Sequence, residues 1–343
     1  MEQSLPTTMR TVIQNSPTSS QLTLTQTPLP TPSSPDHVLI KVIATAPCYS
    51  ELTWLAQNPQ FFPPDKELVP GQDVSGIVVC SSDQSAFRPG DHVFCRLDAT
   101  RPGGLRDYTI ALESELAAKP ASIDWVPATA TPLSALTAWQ ALFEHGSLDS
   151  NALWGGDEAA KKANGTKRVL ITAAGGSVGG FAVQLAAAAG VSAVVGVCSG
   201  GKAERVRSLG ATSIIDYTST SVLQWREKHG GADEFDLIVD CVGGDTMVGL
   251  WAAVKDGGEF ISVSDFPDRL RPQDGKKALT KSKFFIVQSL GVQLAEIARL
   301  LENKTLQPLV DSVYEFDQFQ EAFDKLDTRT AGGKIVIQVN TST

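Results

Sequence analysis

"RVLITAAGGSVGGFAVQLAAAAG", residues 168–190, decides the fold. It opens with an apolar, β-branched run of strand length. A glycine-rich turn follows, then an Ala-rich stretch of helical length. Ala173, Gly176 and Gly179 stand in an A-x-x-G-x-x-G spacing. Small residues there permit a tight turn and let the backbone approach a dinucleotide pyrophosphate at the helix N-terminus. Gly175, Gly176, Ser177, Val178 and Gly179 are therefore the expected contacts. Ala173 replaces the first glycine of the usual fingerprint, so a wider turn is expected.

Downstream, strand and helix patterns alternate. "AVVGVC", "SIID", "FDLIVDCVG" and "GEFISVS" read as strands. "KAERVRSLG", "SVLQWREKHG" and "TMVGLWAAVKDG" read as the helices between them. Serial βα steps predict an α/β chain with a doubly wound parallel sheet. The strand after the glycine turn ends at "VCSGG", where an NAD site would place Asp or Glu for the ribose 2′-hydroxyl. Here Ser199 is followed by two glycines and Lys202. Neutral residues with a cation favour a 2′-phosphate, hence NADPH; the plainer alternative is that Lys202 only begins a surface helix.

Upstream the texture differs. "HVLIKVIATA", "GQDVSGIVV" and "FRPGDHVF" are short strands punctuated by turns, the pattern of a partly closed β-domain. Near Pro132 the pattern becomes helical in "LSALTAWQALFEHG", and a polar loop is expected from about 148 to 167. "AGGKIVIQV", close to the C-terminus, reads as one more strand.

The 343 residues are 42% hydrophobic and 20% charged, a balance that suits two globular domains. A net charge of −9 argues against nucleic acid and anionic membranes as partners. Five scattered cysteines form no disulfide framework, and no apolar run is long enough to cross a bilayer. Residues 1–36 lack the order of a secretory signal, so a cytoplasmic location is expected.

In "ATAPCYSEL" (44–52), Cys48 admits three readings: metal ligand, reactive thiol, or small wall residue of a pocket. A reactive thiolate needs a basic neighbour, and His37, His92, His145 and His229 all lie in other segments. Tyr49 and Ser50 are better suited by type to donate a proton or a hydrogen bond. Asp73 either orients a site or caps a strand. "RTAGGK" (329–334) either brings Arg329 or Lys334 near the cofactor or forms a solvated hairpin.

Together these segments, with "TPLSALTAWQAL" and "RSLGATSIIDY", resemble the medium-chain dehydrogenase/reductase superfamily. The likeness is greatest to its zinc-independent quinone oxidoreductase and enoyl reductase branch. The resemblance implies a GroES-like β-domain built from both chain ends, a Rossmann domain inserted in it, and an active cleft between them. The corresponding ranges are 1–133, 134–285 and 286–343. In NADPH-using members a lysine early in the helix after the second strand and a tyrosine after the third contact the 2′-phosphate, and Lys202 and Tyr217 match those positions. Val242 and Lys334 complete the expected cofactor set. Cys48 and Ser50 match a zinc ligand and a proton-relaying hydroxyl of zinc members. The other two ligand positions hold Gln72 and about Leu133, which cannot complete a catalytic zinc site. No metal is expected.

The sequence is thus read as an NADPH-dependent reductase of a conjugated acceptor: an enone, an enoyl thioester or a quinone. Cys48, Tyr49 and Ser50 are the catalytic candidates. The substrate is a small molecule, free or held as a thioester on a carrier protein, and the chain is a monomer or a homodimer, with "GGEFISVSDF" as a candidate edge strand. The rivals are an alcohol or carbonyl oxidoreductase on the same fold, and a scaffold or non-redox module derived from it.

Overall fold

A computed structural model describes residues 5–229, 234–273 and 277–341. The chain divides into two compact units. The first comprises Met1–Leu133, Gln288–Lys304 and Pro308–Thr343; the second comprises Ser134–Val287 and Thr305–Gln307. In chain order the strands are β1 (Thr8–Gln14), β2 (Leu22–Pro28), β3 (His37–Ala46), β4 (Asp73–Cys80), β5 (His92–Arg96), β6 (Tyr108–Leu112) and β7 (Leu116–Ala118). They continue as β8 (Arg168–Ile171), β9 (Ala193–Cys198), β10 (Ser213–Asp216), β11 (Phe235–Asp240) and β12 (Val254–Ser262). The last are β13 (Lys281–Phe284), β14 (Val310–Glu315) and β15 (Lys334–Gln338).

The first unit is a sheet in the order β14-β15-β3-β4-β5-β7, with β6 also on β3 and a separate β1–β2 hairpin. β3 is its centre because "HVLIKVIATA" is apolar on both faces: Val38, Ile40, Val42 and Ala44 are all fully buried. β15, from the far end of the sequence, pairs antiparallel with β3, Ile337 against Thr45. Chain ends far apart in sequence therefore share one core, in which Ile335 and Ile337 pack with Val42, Val74 and Cys95.

The second unit is a parallel sheet in the order β10-β9-β8-β11-β12-β13. This order reverses at β8, the arrangement that in doubly wound folds puts ligands at the carboxyl ends of the strands beside the switch. Leu170, Val195, Ile238 and Phe260 fill the core beneath, with Trp251 from the helix Met247–Ala253.

Three sequence expectations change. The stretch 148–167 is not a plain loop: it carries a short 3-10 turn at Ser150–Leu153 and a helix at Glu158–Asn164. Asp157 caps that helix by accepting the Ala160 N–H, and Asn164 ties its end to the Asp149 and Ala189 carbonyls. The expected edge strand over "GGEFISVS" is interior, because β13 pairs along β12. β13 reads "KSKF", too short and too polar on one face to stand out as a strand. Finally, the helix beginning at Pro132 changes to π-helix over Gln140–His145 before ending at Gly146.

Candidate functional site

The second unit presents its strand ends as a row of polar groups. Asp240, fully buried at the end of β11, accepts from Thr172 Oγ1 (2.8 Å), the Val242 and Gly243 amides (3.1 and 3.0 Å) and Ser262 Oγ (3.0 Å). One carboxylate thereby fastens the ends of β8, β11 and β12. No sequence pattern had singled it out; its only signal was an acid at the end of an apolar run.

The glycine turn follows β8. It is not widened at Ala173. Instead Ala173 takes a left-handed φ of 46° and its carbonyl accepts the Gly176 N–H at 2.8 Å. A non-glycine residue there is strained by roughly 1–2 kcal/mol, so the turn stays tight at the expense of local stability. Gly179 lies so close that a Cβ would collide with the Ala173 carbonyl, whereas a Cβ on Gly176 would meet nothing nearer than 3.3 Å. The helix Ser177–Ala188 starts from Gly176 with no side-chain cap and no acid in its first turn. The amides of its first turn have no intrahelical acceptor. They suit an anion, and the residues present fit a dinucleotide pyrophosphate.

Beside this turn lies the end of β9. Ser199 begins a short 3-10 turn over Gly200–Lys202. The Lys202 stem lies across Gly175, its Cδ 2.7 Å from where a Cβ would stand. Arg205, one helical turn on, donates from Nη2 to the Gly175 carbonyl at 2.7 Å, a contact the sequence reading missed. Tyr217 is 62% exposed, and its amide donates to the Cys198 carbonyl at 3.2 Å, which sets it at the same strand end. Val242 is 48% exposed at the end of β11. Of the expected cofactor residues, these all belong to the second unit. Lys334 does not: it lies in the first.

There, Lys334 is 6% exposed and its Nζ stands 2.6 Å from Asp73 Oδ2. It also donates to the Pro47 carbonyl at 3.3 Å. Within this unit its ammonium is committed to Asp73 and Pro47, a buried ion pair rather than a solvated hairpin. Asp73 Oδ1 accepts the Leu133 amide at 2.6 Å. Burial lowers and the Asp73 carboxylate raises the Lys334 pKa; the carboxylate wins and holds the ammonium charged.

The loop of Cys48 is organised by Glu51, another group the sequence reading missed. Glu51 Oε2 accepts the Cys48 amide at 2.9 Å; Oε1 accepts the Gly71 amide at 2.7 Å and Gln72 Nε2 at 3.1 Å. Burial pushes its carboxyl up, against the pull of these donors. Cys48 itself is half-buried, and burial pushes its thiol up despite the opposing charge of Lys334. A thiol held protonated is a poor nucleophile. The histidines are engaged elsewhere: His37 with Ser33, His92 with Trp125, His145 with Lys283 and Phe285, His229 with Trp225. Ser50 has a left-handed φ of 57°, and its Oγ accepts from Trp54 Nε1 at 3.3 Å. Tyr49 is 43% exposed with the Arg329 guanidinium 4.5 Å above its ring. The segment 53–67 lines a cavity of this unit, where Trp54, Phe62 and Lys66 meet Glu51 and Gln72. Among the described residues, no group of three or more His, Cys, Asp and Glu stands together as a metal site.

Known proteins resemble this chain throughout. Residues 34–121 match the alcohol dehydrogenase GroES-like domain and residues 209–337 the zinc-binding dehydrogenase family. A probable zinc-binding oxidoreductase, mitochondrial, of Arthroderma benhamiae is 43% identical over 98% of both chains. An NAD(P)H oxidoreductase RTN4IP1, mitochondrial, of Danio rerio is 32% identical over 79% of this chain and 72% of its own. A quinone-oxidoreductase QR1, chloroplastic, of Triphysaria versicolor is 30% identical over 91% of this chain and 92% of its own. The mitochondrial names overturn the cytoplasmic expectation. Among the described residues, no helix is long and apolar enough to cross a membrane. The chain belongs to the medium-chain dehydrogenase/reductase superfamily, on its quinone oxidoreductase-like branch, and is an oxidoreductase that works with a nicotinamide cofactor.

Proposed function

We propose that the protein is an NADPH-dependent, zinc-independent reductase of conjugated acceptors: enones, enoyl thioesters or quinones. The observation that carries this reading is the end of β9, where Ser199 stands in place of an acid, Gly201 faces open space, and Lys202 and Arg205 bring positive charge to the glycine turn. Bound NADPH supplies the hydride. The first-turn amides at Ser177, Val178 and Gly179 take the pyrophosphate, and Lys202, Ser199 and Tyr217 take the 2′-phosphate.

Zinc independence is supported by the donor set. A catalytic zinc needs three strong donors. Here Gln72 gives its amide nitrogen to Glu51, Leu133 offers only its backbone, and the Lys334 ammonium sits on Asp73 with Cys48 in its field. Cys48 alone is left as a strong donor. Negative charge developing on the acceptor oxygen must then be met by hydrogen-bond donors. Ser50 already accepts from Trp54, which leaves its hydroxyl the donor role; Tyr49 is the other donor by type. The reading is also supported by relatives named as quinone and NAD(P)H oxidoreductases, and by a 2-methylene-furan-3-one reductase of Solanum lycopersicum.

The test is NADPH consumption against a panel of enones, enoyl thioesters, quinones, ketones and alcohols, with metal analysis of the same sample. Turnover of an activated alkene or quinone, insensitive to chelator, with well under one zinc per chain, is expected. Stoichiometric zinc with chelator-sensitive turnover of alcohols or ketones refutes the reading.

A further inference from the structure

The carboxylate that the end of β9 lacks arrives from the neighbouring strand. Asp216 ends β10 and lies opposite Cys198 in the parallel register, one residue before Ser199. Its side chain turns toward the Ser199–Lys202 turn: Oδ2 stands 2.6 Å from where a Cβ on Gly200 would be. It accepts the Gly200 amide. Its other oxygen is held by Thr218, which donates from its amide at 3.0 Å and from Oγ1 at 2.6 Å. Three donors fix the carboxylate in the ionised form and in one direction.

Gly200 is thereby explained. Any side chain there would strike Asp216, so glycine lets the carboxylate close on the turn. Gly201, with open space around it, imposes no such limit. The turn is therefore bordered by Lys202 and Arg205 on the side of Gly175 and by Asp216 on the side of β10. A dianionic 2′-phosphate is attracted by the first pair and repelled by the second group. A ribose 2′-hydroxyl is indifferent to the cations and meets, in Asp216, the acceptor type that NAD sites use.

We propose that Asp216 is a specificity-determining residue that restrains the preference for NADPH and keeps the site open to NADH. The inference rests on the dinucleotide reading above and deepens it. Two like charges a few ångströms apart at a solvated surface repel weakly, so the effect is modest, about three- to tenfold. Asp216→Asn keeps the size and the acceptor oxygen for Thr218 while removing the charge.

The experiment is direct binding, without turnover, of NADPH and NADH and of two fragments, adenosine 2′,5′-bisphosphate and 5′-AMP. Each is titrated calorimetrically into wild type, Asp216→Asn, Asp216→Ser and Lys202→Ala, with thermal melts to confirm folding. Asp216→Asn is expected to raise the NADPH-to-NADH affinity ratio by about three- to tenfold, with the same change in the fragment ratio. The gain should shrink in high salt. An unchanged ratio in a folded Asp216 variant overturns the proposal. So does an equal loss for all four ligands, which would make Asp216 only a support for the turn. The functional reading fails separately: wild type that binds NADH better, with a ratio indifferent to Lys202→Ala, refutes the NADPH preference whatever Asp216 does. If Asp216→Asn does not fold, Asp216→Ser carries the same test.

Discussion

Removing the Lys334 ammonium should be among the more damaging single changes in the first unit. Lys334→Met keeps the aliphatic stem and deletes the charge. It leaves Asp73, which is fully buried, with the Leu133 amide as its remaining close donor and the charge of the 2.6 Å ion pair uncompensated. Breaking a buried pair by removing one partner costs about 3–5 kcal/mol. For a unit of this size, each kcal/mol is about 2–4 °C in Tm. Lys334→Met should therefore lower the melting temperature of this unit by roughly 6–20 °C. The double variant Lys334→Met, Asp73→Asn removes both charges and keeps an acceptor for Leu133. It should recover most of the loss, because the penalty belongs to the stranded carboxylate and not to the missing attraction. The assay is calorimetric melting of wild type, both single variants and the double. A drop of under about 2 °C for Lys334→Met, or additive losses in the double, would refute this account of the pair.

Gly176→Val should fold, since its Cβ meets only the Ala173 carbonyl oxygen, at a tight but not colliding 3.3 Å, yet lose NADPH binding as its branches cover the helix start; Gly179→Val should fail to fold, because its Cβ would sit on the Ala173 carbonyl. Melting and cofactor titration separate the two. Lys202→Ala should weaken NADPH about tenfold or more and barely change NADH, the magnitude of one charge-assisted hydrogen bond; equal losses for both would show that Lys202 does not meet the phosphate. Burial holds the Cys48 thiol above its ordinary value, so alkylation at pH 7 should be slow and should accelerate only above about pH 9. Because the folded state keeps this proton longer than the unfolded chain, the thiol contributes stability below its ordinary pKa, and that contribution is lost as pH rises through the raised one. Mass spectrometry of timed alkylation checks it, and rapid labelling of Cys48 at pH 7 would contradict it.

The parts of the fold legible in the sequence were those carried by local pattern. "RVLITAAGGSVGG" names its strand, turn and helix because apolar period, glycine and helix start fall within a dozen residues. Other features depended on tertiary context. Ala173 holds the tight turn by left-handed strain, which its identity did not announce. β13 is a strand because β12 offers it an edge, not because "KSKF" favours one. Asp240 and Glu51 combine amides two or three positions away with partners 68 and 20 positions away, and Lys334 reaches Pro47 across 287, so local spacing shows only part of each network. Asp216 shows the same limit at the cofactor turn: the position that tradition inspects for an acid is the end of β9, and the acid comes from β10.

The two units satisfy their polar groups in different ways. In the first, each buried charge near Cys48 has an internal answer: Glu51 takes three amide donors, and Asp73 takes Lys334 and Leu133. Such a network fixes the loop that carries Tyr49 and Ser50 but spends its donors on the protein. In the second, the first helical turn after Gly176 keeps its amides uncapped, and the strand ends are tied by Asp240 without covering them. The uncapped amides of that first turn thus suit an anion. On the function proposed above, acceptor choice falls to the donors of the first unit, so a sequence of this type declares its cofactor class more readily than its substrate.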